Sequence, residues 1–117
     1  MAENKLADMS TEFAIQILKL TENIKGHYSL SNQLERSGMS IGANITEAQY
    51  PQSLPDMLSK FKIARKECVE TESWLKLLFS NNSIDELTFK KHRNLCGRIQ
   101  RMLTASCITI EKKITKE

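Results

Sequence analysis

The chain has 117 residues and a mass of 13.4 kDa, with 40% hydrophobic and 26% charged residues. This size and composition predict a single domain over residues 1–117 and exclude a two-domain protein. Four Gly and two Pro are too few to supply the turns of a sandwich or barrel of many short strands, so composition favours helices. No signal-peptide pattern or long apolar run is found, so we expect a cytoplasmic protein with no membrane partner.

A first helix is predicted from Leu6 to Ile24, where apolar residues recur at steps of three and four along one face. Gly26 is expected to end it. A second, weaker apolar strip lies beside that face and comprises Ala7, Ala14, Ile15 and Leu18. A monomer would leave this strip in water, so the strip indicates a partner helix.

A second helix is predicted from Leu30 to Ala48, because Tyr50-Pro51 disfavours further helical geometry. Gly38 and Gly42 lie one turn apart within it. Glycine costs about 1 kcal/mol relative to alanine inside a helix. Two glycines on one turn therefore indicate a close approach of a neighbouring helix that offsets the cost.

The third and fourth helices are predicted from their starting signals. Ser53 followed by Asp56, with Pro55 in the first turn, is a capping pattern for the third helix. Residues 81–82, Asn-Asn, interrupt the helical pattern, and Ser83 with Glu86 is a second capping box. Short connections between four amphipathic helices predict an all-α fold, an antiparallel up-down four-helix bundle.

The cysteines and histidines carry little sign of chemistry. Cys68, Cys96 and Cys107 lack metal-ligand spacing and fall at apolar helical positions, so we expect small core residues. His92 and Cys96 lie one turn apart as a conceivable base and nucleophile, but no third orienting residue accompanies them. Neither histidine lies three residues after a glutamate, as a di-iron bundle requires. We predict no catalytic residue, no metal, no cofactor and no enzymatic activity.

Positive charge is concentrated in the last helix. Residues 81–117 carry eight Lys or Arg against four acids, and no acid lies between Glu86 and Glu111. At 100° per residue, six cations fall in one sector opposite the apolar face: Lys90, Lys91, Arg98, Arg101, Lys112 and Lys116. This basic stripe would run about 39 Å, long enough to follow a nucleic-acid backbone. The alternative is an ordinary solvated helix face. No aromatic residue interleaves with the stripe, so the contacts predicted are to phosphates.

Two further features are predicted to mediate oligomer or packing contacts. A polar ridge follows the second helix at steps of four, four and three, and comprises Arg36, Ser40, Asn44 and Glu47. Glu72 is placed by helical angle among the apolar residues of the third helix, where an unpaired carboxylate is costly. We therefore expect it to pair with Arg65, Asn44 or Arg36. Trp74 lies off the main apolar face and is either packing or an interface anchor.

Two segments, LERSGMSIGANITEA at 34–48 and IARKECVETESWLKLL at 63–78, carry a family resemblance. Their patterns, RSGxSIGANIxEA and IAxKExxETxxWLxLL, resemble the bacterial four-helix bundle family named for proteins encoded in intervening sequences of 23S ribosomal RNA genes. The resemblance spans nearly the whole chain. It implies an up-down bundle that assembles as a homopentamer with a central channel. Related proteins include the accessory variability determinant of diversity-generating retroelements, which binds nucleic acid and a reverse transcriptase.

The sequence thus leads to two functional hypotheses of different classes. The first is a non-enzymatic, oligomeric accessory protein that binds RNA or DNA phosphates through the basic stripe and assists a reverse transcriptase. The second is a self-assembling scaffold that holds a partner protein without binding nucleic acid, using Trp74 and its apolar neighbours. A reverse transcriptase or ribosomal RNA locus beside the gene would favour the first.

Overall fold

The computed structural model describes the backbone of residues 2–116 and the side chains of residues 5–116. Four α-helices follow one another in the chain: α1 (Ala2–Glu22), α2 (Tyr28–Ala48), α3 (Leu54–Ser80) and α4 (Glu86–Lys116). Consecutive helices pack against each other, and α4 closes the ring onto α1. The bundle measures 51 × 21 × 20 Å. The predicted all-α up-down four-helix bundle is confirmed.

The connections follow local backbone chemistry. Gly26 and His27 adopt positive φ angles of 77° and 50°, which lets the chain reverse between α1 and α2. At the start of α3, the Ser53 side chain accepts a hydrogen bond from the Asp56 N–H at 3.1 Å. Asp56 in turn accepts one from the Gln52 N–H, so the predicted cap is confirmed.

The predicted start of α4 is wrong by two residues. Asp85, rather than Ser83, caps the helix, because its Oδ1 accepts from the Thr88 N–H at 2.7 Å. Hydrogen bonds from the side chain and the backbone N–H of Thr88 lower the pKa of the Asp85 carboxyl. Ser83 instead belongs to the turn, where its N–H donates to the Leu78 carbonyl oxygen.

The core runs the length of the bundle and takes residues from every helix. Its fully enclosed side chains include Phe13, Ile41, Leu75 and Leu103. The three cysteines are free thiols and are buried, as predicted. Leu78 lies in the core at 0% exposure, although Trp74, four residues earlier on α3, is half-buried.

The glycines of α2 lie where α2 closely approaches α1. A Cβ atom on Gly38 would lie 3.3 Å from Cγ1 of Ile17, and one on Gly42 would lie 3.3 Å from Oγ of Ser10. Both contacts are to α1, so the expected close approach is confirmed. None of the helices, over the described residues, is long and apolar enough to cross a membrane.

Candidate nucleic-acid interface

All six residues of the basic stripe are solvent-exposed: Lys90, Lys91, Arg98, Arg101, Lys112 and Lys116. Lys90 is neutralised by Glu86, one turn earlier, with Nζ 2.6 Å from Oε1. The contact lowers the pKa of the Glu86 carboxyl. Arg36 and Lys90 are the only Lys or Arg residues within 5–116 that form an ion pair. The other five cations of the stripe are free to meet an external anion.

The stripe is not confined to one seam of the bundle. Lys91 borders α1, where it lines a shallow cleft together with Lys19 and His92. Arg101 borders α3, because a Cβ atom on Gly97 would lie 3.4 Å from Nη1 of Arg101 and 4.0 Å from Oε1 of Glu72 on α3. Lys112 and Lys116 lie together near the end of α4 beside Ile108. The cations therefore spread over the outer surface of α4, from its α1 edge to its α3 edge.

The structure adds α3 cations that the α4 pattern alone does not reveal. Lys62 and Arg65 lie close enough to Cys107 of α4 to oppose the rise in the pKa of its thiol, which burial causes. Lys76 and Arg93 line one cleft between the two helices. We call this surface the α3–α4 groove and define it by Lys62, Arg65, Glu72, Lys76, Arg93 and Arg101. Helical angles show on which side of its own helix a residue lies, but only the packing shows which other helix it borders.

Glu72 does not form the ion pair that was predicted. It is half-buried at the α3–α4 groove, and it makes no hydrogen bond or ion pair with any residue from 5 to 116. Its Oε1 would lie 4.0 Å from a Cβ atom on Gly97. Two of the predicted donors are engaged elsewhere, Arg36 with Glu67 and Glu70 and Asn44 with Ser40, and the prediction of a paired Glu72 is wrong.

Glu67 is the buried carboxylate that pairs across the bundle. Its Oε2 lies 3.4 Å from Nη1 of Arg36, and Nη2 of the same guanidinium lies 3.3 Å from Oε1 of Glu70. Burial raises the pKa of the Glu67 carboxyl, the neighbouring Glu70 adds to the rise, and Arg36 opposes it. Thr71 and Ser37, with hydroxyl oxygens 2.9 Å apart, extend this polar seam between α2 and α3. The position of Arg36 is therefore explained by packing between these helices.

Of the other polar ridge residues, Ser40 and Asn44 contact each other and Glu47 faces solvent. The Asn44 amide donates to the Ser40 carbonyl oxygen at 2.8 Å, one turn earlier on α2. Glu47 is exposed. Trp74 is half-buried against the core, and its Nε1 is enclosed without a hydrogen-bond partner among the described residues. Within the protomer, Trp74 is a packing residue.

The cysteine–histidine pair shows no activated nucleophile. Contact with Cys68, and then burial, raises the pKa of the Cys96 thiol. A thiol in this environment stays protonated, whereas nucleophilic attack needs the thiolate. Nδ1 of His92 lies 2.7 Å from the Thr88 carbonyl oxygen, to which it must donate. Among the described residues no group of three His, Cys, Asp or Glu could hold a metal ion.

An aromatic pair lies beside the cations, which sequence reasoning missed. Phe79 of α3 and Phe89 of α4 stack with their ring centroids 4.7 Å apart. The guanidinium carbon of Arg93 lies 5.1 Å from the Phe89 centroid. Two helices each supply one ring, so no pattern within a single helix signals the pair.

The comparisons with known proteins agree with this fold. A sequence model of the 23S rRNA-intervening sequence protein family matches residues 2–105. The chain is also similar to a crystal structure from Bacteroides thetaiotaomicron, described as a protein of unknown function from the S23 ribosomal protein family, with a TM-score of 0.87. The two are 37% identical, and the match covers 92% of this chain and 98% of the other. No curated protein matches the chain. On these grounds the chain belongs to the 23S rRNA-intervening sequence protein family.

Proposed function

We propose that the protein is a non-enzymatic, oligomeric accessory protein of the cytoplasm that binds RNA phosphates through the exposed cations of α4 and the α3–α4 groove. The observation that carries this proposal is the number of cations left without an internal partner. An exposed, unpaired cation can bind a phosphate without the cost of breaking an internal ion pair.

The distribution of charge along the chain supports the same surface. Residues 51–117, which contain α3 and α4, carry thirteen Lys or Arg against eight acids, whereas residues 1–50 carry four against six. A polyanion is therefore attracted to one half of the bundle and repelled by the other. Contacts to phosphates release counterions, so affinity is expected to fall steeply with salt and to depend weakly on sequence.

Assembly of several copies would strengthen weak phosphate contacts. Ile15 and Leu18 of α1 and Met39 of α2 are 47%, 39% and 45% exposed. Covering them with other subunits, in the homopentamer that the family resemblance implies, would present several basic surfaces to one RNA. The family name supports RNA over DNA as the ligand, and assistance to a reverse transcriptase is one role that such RNA binding would serve.

The test is a fluorescence anisotropy titration of structured RNA at several salt concentrations. Replacing two unpaired cations in the Arg98→Glu, Arg101→Glu variant is expected to weaken binding by on the order of tenfold or more. The matched control is Lys5→Glu, Lys25→Glu, which changes the net charge equally at exposed, unpaired positions in the acidic half. The control is expected to bind within about threefold of the parent. Absence of binding at low salt, or equal losses in both variants, would refute the proposal.

A second candidate is a scaffold that self-assembles and holds a partner protein. The exposed residues Ile15, Leu18 and Met39 favour it, because they lie on the two helices that carry few cations. Mass determination by light scattering tests it together with the RNA titration. Assembly without RNA binding would favour the scaffold, and a monomer would oppose both candidates.

A further inference from the structure

A cleft opens on the α3–α4 groove next to the aromatic pair. Its walls include Glu72 and Lys76 from α3, Arg93 from α4, and the rings of Phe79 and Phe89. The cleft holds about 580 Å³, within the range of roughly 300–1,000 Å³ of small-molecule sites. Its walls thus combine flat groups, cations and one carboxylate, which are the groups that a nucleotide contacts.

Planar groups are already close together at the cleft. Arg93 is exposed, and its guanidinium lies over Phe89, which in turn stacks on Phe79 with an interplanar angle of 5°. Unpaired bases in RNA complexes stack on aromatic rings and on arginine guanidinium planes. A base entering the cleft would extend this stack without rearranging the core. Lys76, also exposed, is placed to meet the attached phosphate.

Glu72 is the feature that general phosphate binding does not explain. A carboxylate repels phosphates, yet this one lies among cations and has no hydrogen bond or ion pair with any residue of 5–116. A Cβ atom on Gly97 of α4 would lie 4.0 Å from the Glu72 Oε1 and 3.4 Å from the Arg101 Nη1, so the carboxylate faces α4 near an exposed cation. An unpaired carboxylate beside a stacking surface calls for a ligand with N–H donors.

Guanine has the edge that best matches a carboxylate. Its N1–H and N2–H groups are adjacent, parallel donors that can meet both carboxylate oxygens at once. Cytosine and adenine offer one amino group beside an acceptor nitrogen, and uracil flanks its single N–H with two carbonyl oxygens. Bidentate contacts of this kind discriminate among bases far better than single ones.

We propose that the cleft lined by Glu72, Lys76, Phe79, Phe89 and Arg93 binds one unpaired guanine of an RNA strand, stacked on Arg93 and held by Glu72. The inference rests on the proposed function, because phosphate contacts along α4 bring the strand to the cleft. The guanine site would give a preference for one base to a surface that otherwise binds phosphates of any sequence.

The experiment compares two labelled single-stranded RNAs of twelve nucleotides, one all uridine and one with a single central guanosine. The full-length protein is expected to bind the guanosine strand about tenfold more tightly. Glu72→Gln is expected to reduce this preference to less than twofold while affinity for the uridine strand stays equal or rises. Arg93→Lys keeps the positive charge but removes the planar guanidinium group. It is therefore expected to weaken binding of the guanosine strand more than binding of the uridine strand.

The control is Glu111→Gln, which removes the same charge from α4 at an exposed position outside the cleft. Glu111 follows Gly97 by fourteen residues, about 21 Å along the helix. This variant is expected to keep the tenfold preference. If Glu72 acts only through its charge, Glu72→Gln and Glu111→Gln will both raise the affinity for the two strands equally, and both will keep the preference for guanosine. That result would overturn the inference.

The outcomes separate this inference from the proposed function. Equal binding of both strands, or preference for a central adenosine or cytidine over guanosine, overturns the guanine site while RNA binding stands. Absence of binding to either strand and to structured RNA at low salt overturns the proposed function and this inference with it. Circular dichroism of Glu72→Gln confirms that any loss of preference occurs in a folded protein.

Discussion

The α1–α2 half and the α3–α4 half of the bundle share one core but carry opposite net charge. Both halves expose large apolar side chains, among them Ile15 and Leu18 in the first half and Val69 and Ile108 in the second. Residues 1–50 carry a net charge of −2, whereas residues 51–117 carry +5 and, among the described residues, leave nearly all of their cations unpaired. A four-helix core does not require this division, since core packing depends only on the inward faces. The difference in charge favours the α3–α4 half as the surface for a polyanion.

The seams inside the two halves differ as well. Small residues let α1 and α2 approach closely, at Gly38 and Gly42. Stacked rings and long side chains join α3 and α4, and Gly97 there faces flexible side-chain ends rather than a packed core. The α1–α2 seam is expected to tolerate substitution poorly, and the α3–α4 seam to tolerate it well.

The largest expected effect on stability is that of Gly38→Val. The new side chain would press on Ile17, which is fully buried and has no space to move into. We expect the free energy of unfolding to fall by about 3 kcal/mol. Chemical denaturation measures it, and a stability unchanged from the parent would show that the α1–α2 seam is loose.

Arg36→Ala is expected to lower the free energy of unfolding by a smaller amount, about 1–2 kcal/mol. The loss arises because Glu67 is left without its partner, and it is limited because the guanidinium is partly exposed. A double-mutant cycle with Glu67→Gln measures the coupling between the two residues. Additive losses would mean that the ion pair contributes nothing.

The same pair sets a pH dependence. Burial raises the pKa of the Glu67 carboxyl above its ordinary value of 4.5. The folded protein therefore holds this proton more tightly than the unfolded chain, so the contribution of this group to stability is full below pH 4.5 and is lost as pH rises through the folded pKa. The Glu67→Gln variant has no carboxyl group to ionise at this position. Its free energy of unfolding, relative to that of the parent, is therefore expected to increase as pH rises through this window. A constant difference across the window would contradict the assignment.

Gly97→Ala tests the opposite seam with a small gain. The new methyl group would make only ordinary contacts with Arg101 and Glu72, and alanine is the better helix former. We expect the free energy of unfolding to rise by about 0.5–1 kcal/mol. A loss on thermal denaturation would show that the α3–α4 seam is as tight as the α1–α2 seam.

The smallest effect on the protomer is expected from Leu18→Lys, Met39→Lys, since both side chains are exposed. Unfolding free energy should change by less than about 0.5 kcal/mol. In the proposed assembly, charges would replace apolar side chains between subunits, so assembly is expected to be lost. Light scattering checks this, and a variant that keeps the parent's mass would place the assembly surface elsewhere.

Features that depend on neighbouring residues in the chain were predictable from the sequence. The Ser53 cap and the Gly38 contact follow from local chemistry and helical spacing. The cap of α4 was missed because Ser83 and Asp85 both precede a residue at capping distance, and spacing alone does not choose between them. The four-helix fold needed only these local signals and the apolar periodicity.

Features that depend on which helix lies beside which were not predictable in the same way. Helical angle placed Glu72 in the core, but the turn of α3 that faces α2 buries Glu67 instead, next to Arg36. The α4 stripe was visible as exposed charge, whereas the contribution of Lys62 and Lys76 depends on α3 packing beside α4. The aromatic pair likewise takes one ring from each helix.

Ultraviolet crosslinking of the protein to RNA, followed by peptide mass spectrometry, shows which half of the bundle contacts the RNA. Crosslinked peptides are expected from α3 and α4, with the strongest signal around Phe79, Phe89 and Arg93. Crosslinks concentrated in α1 and α2, the half with net negative charge, would contradict RNA binding by the α3–α4 half.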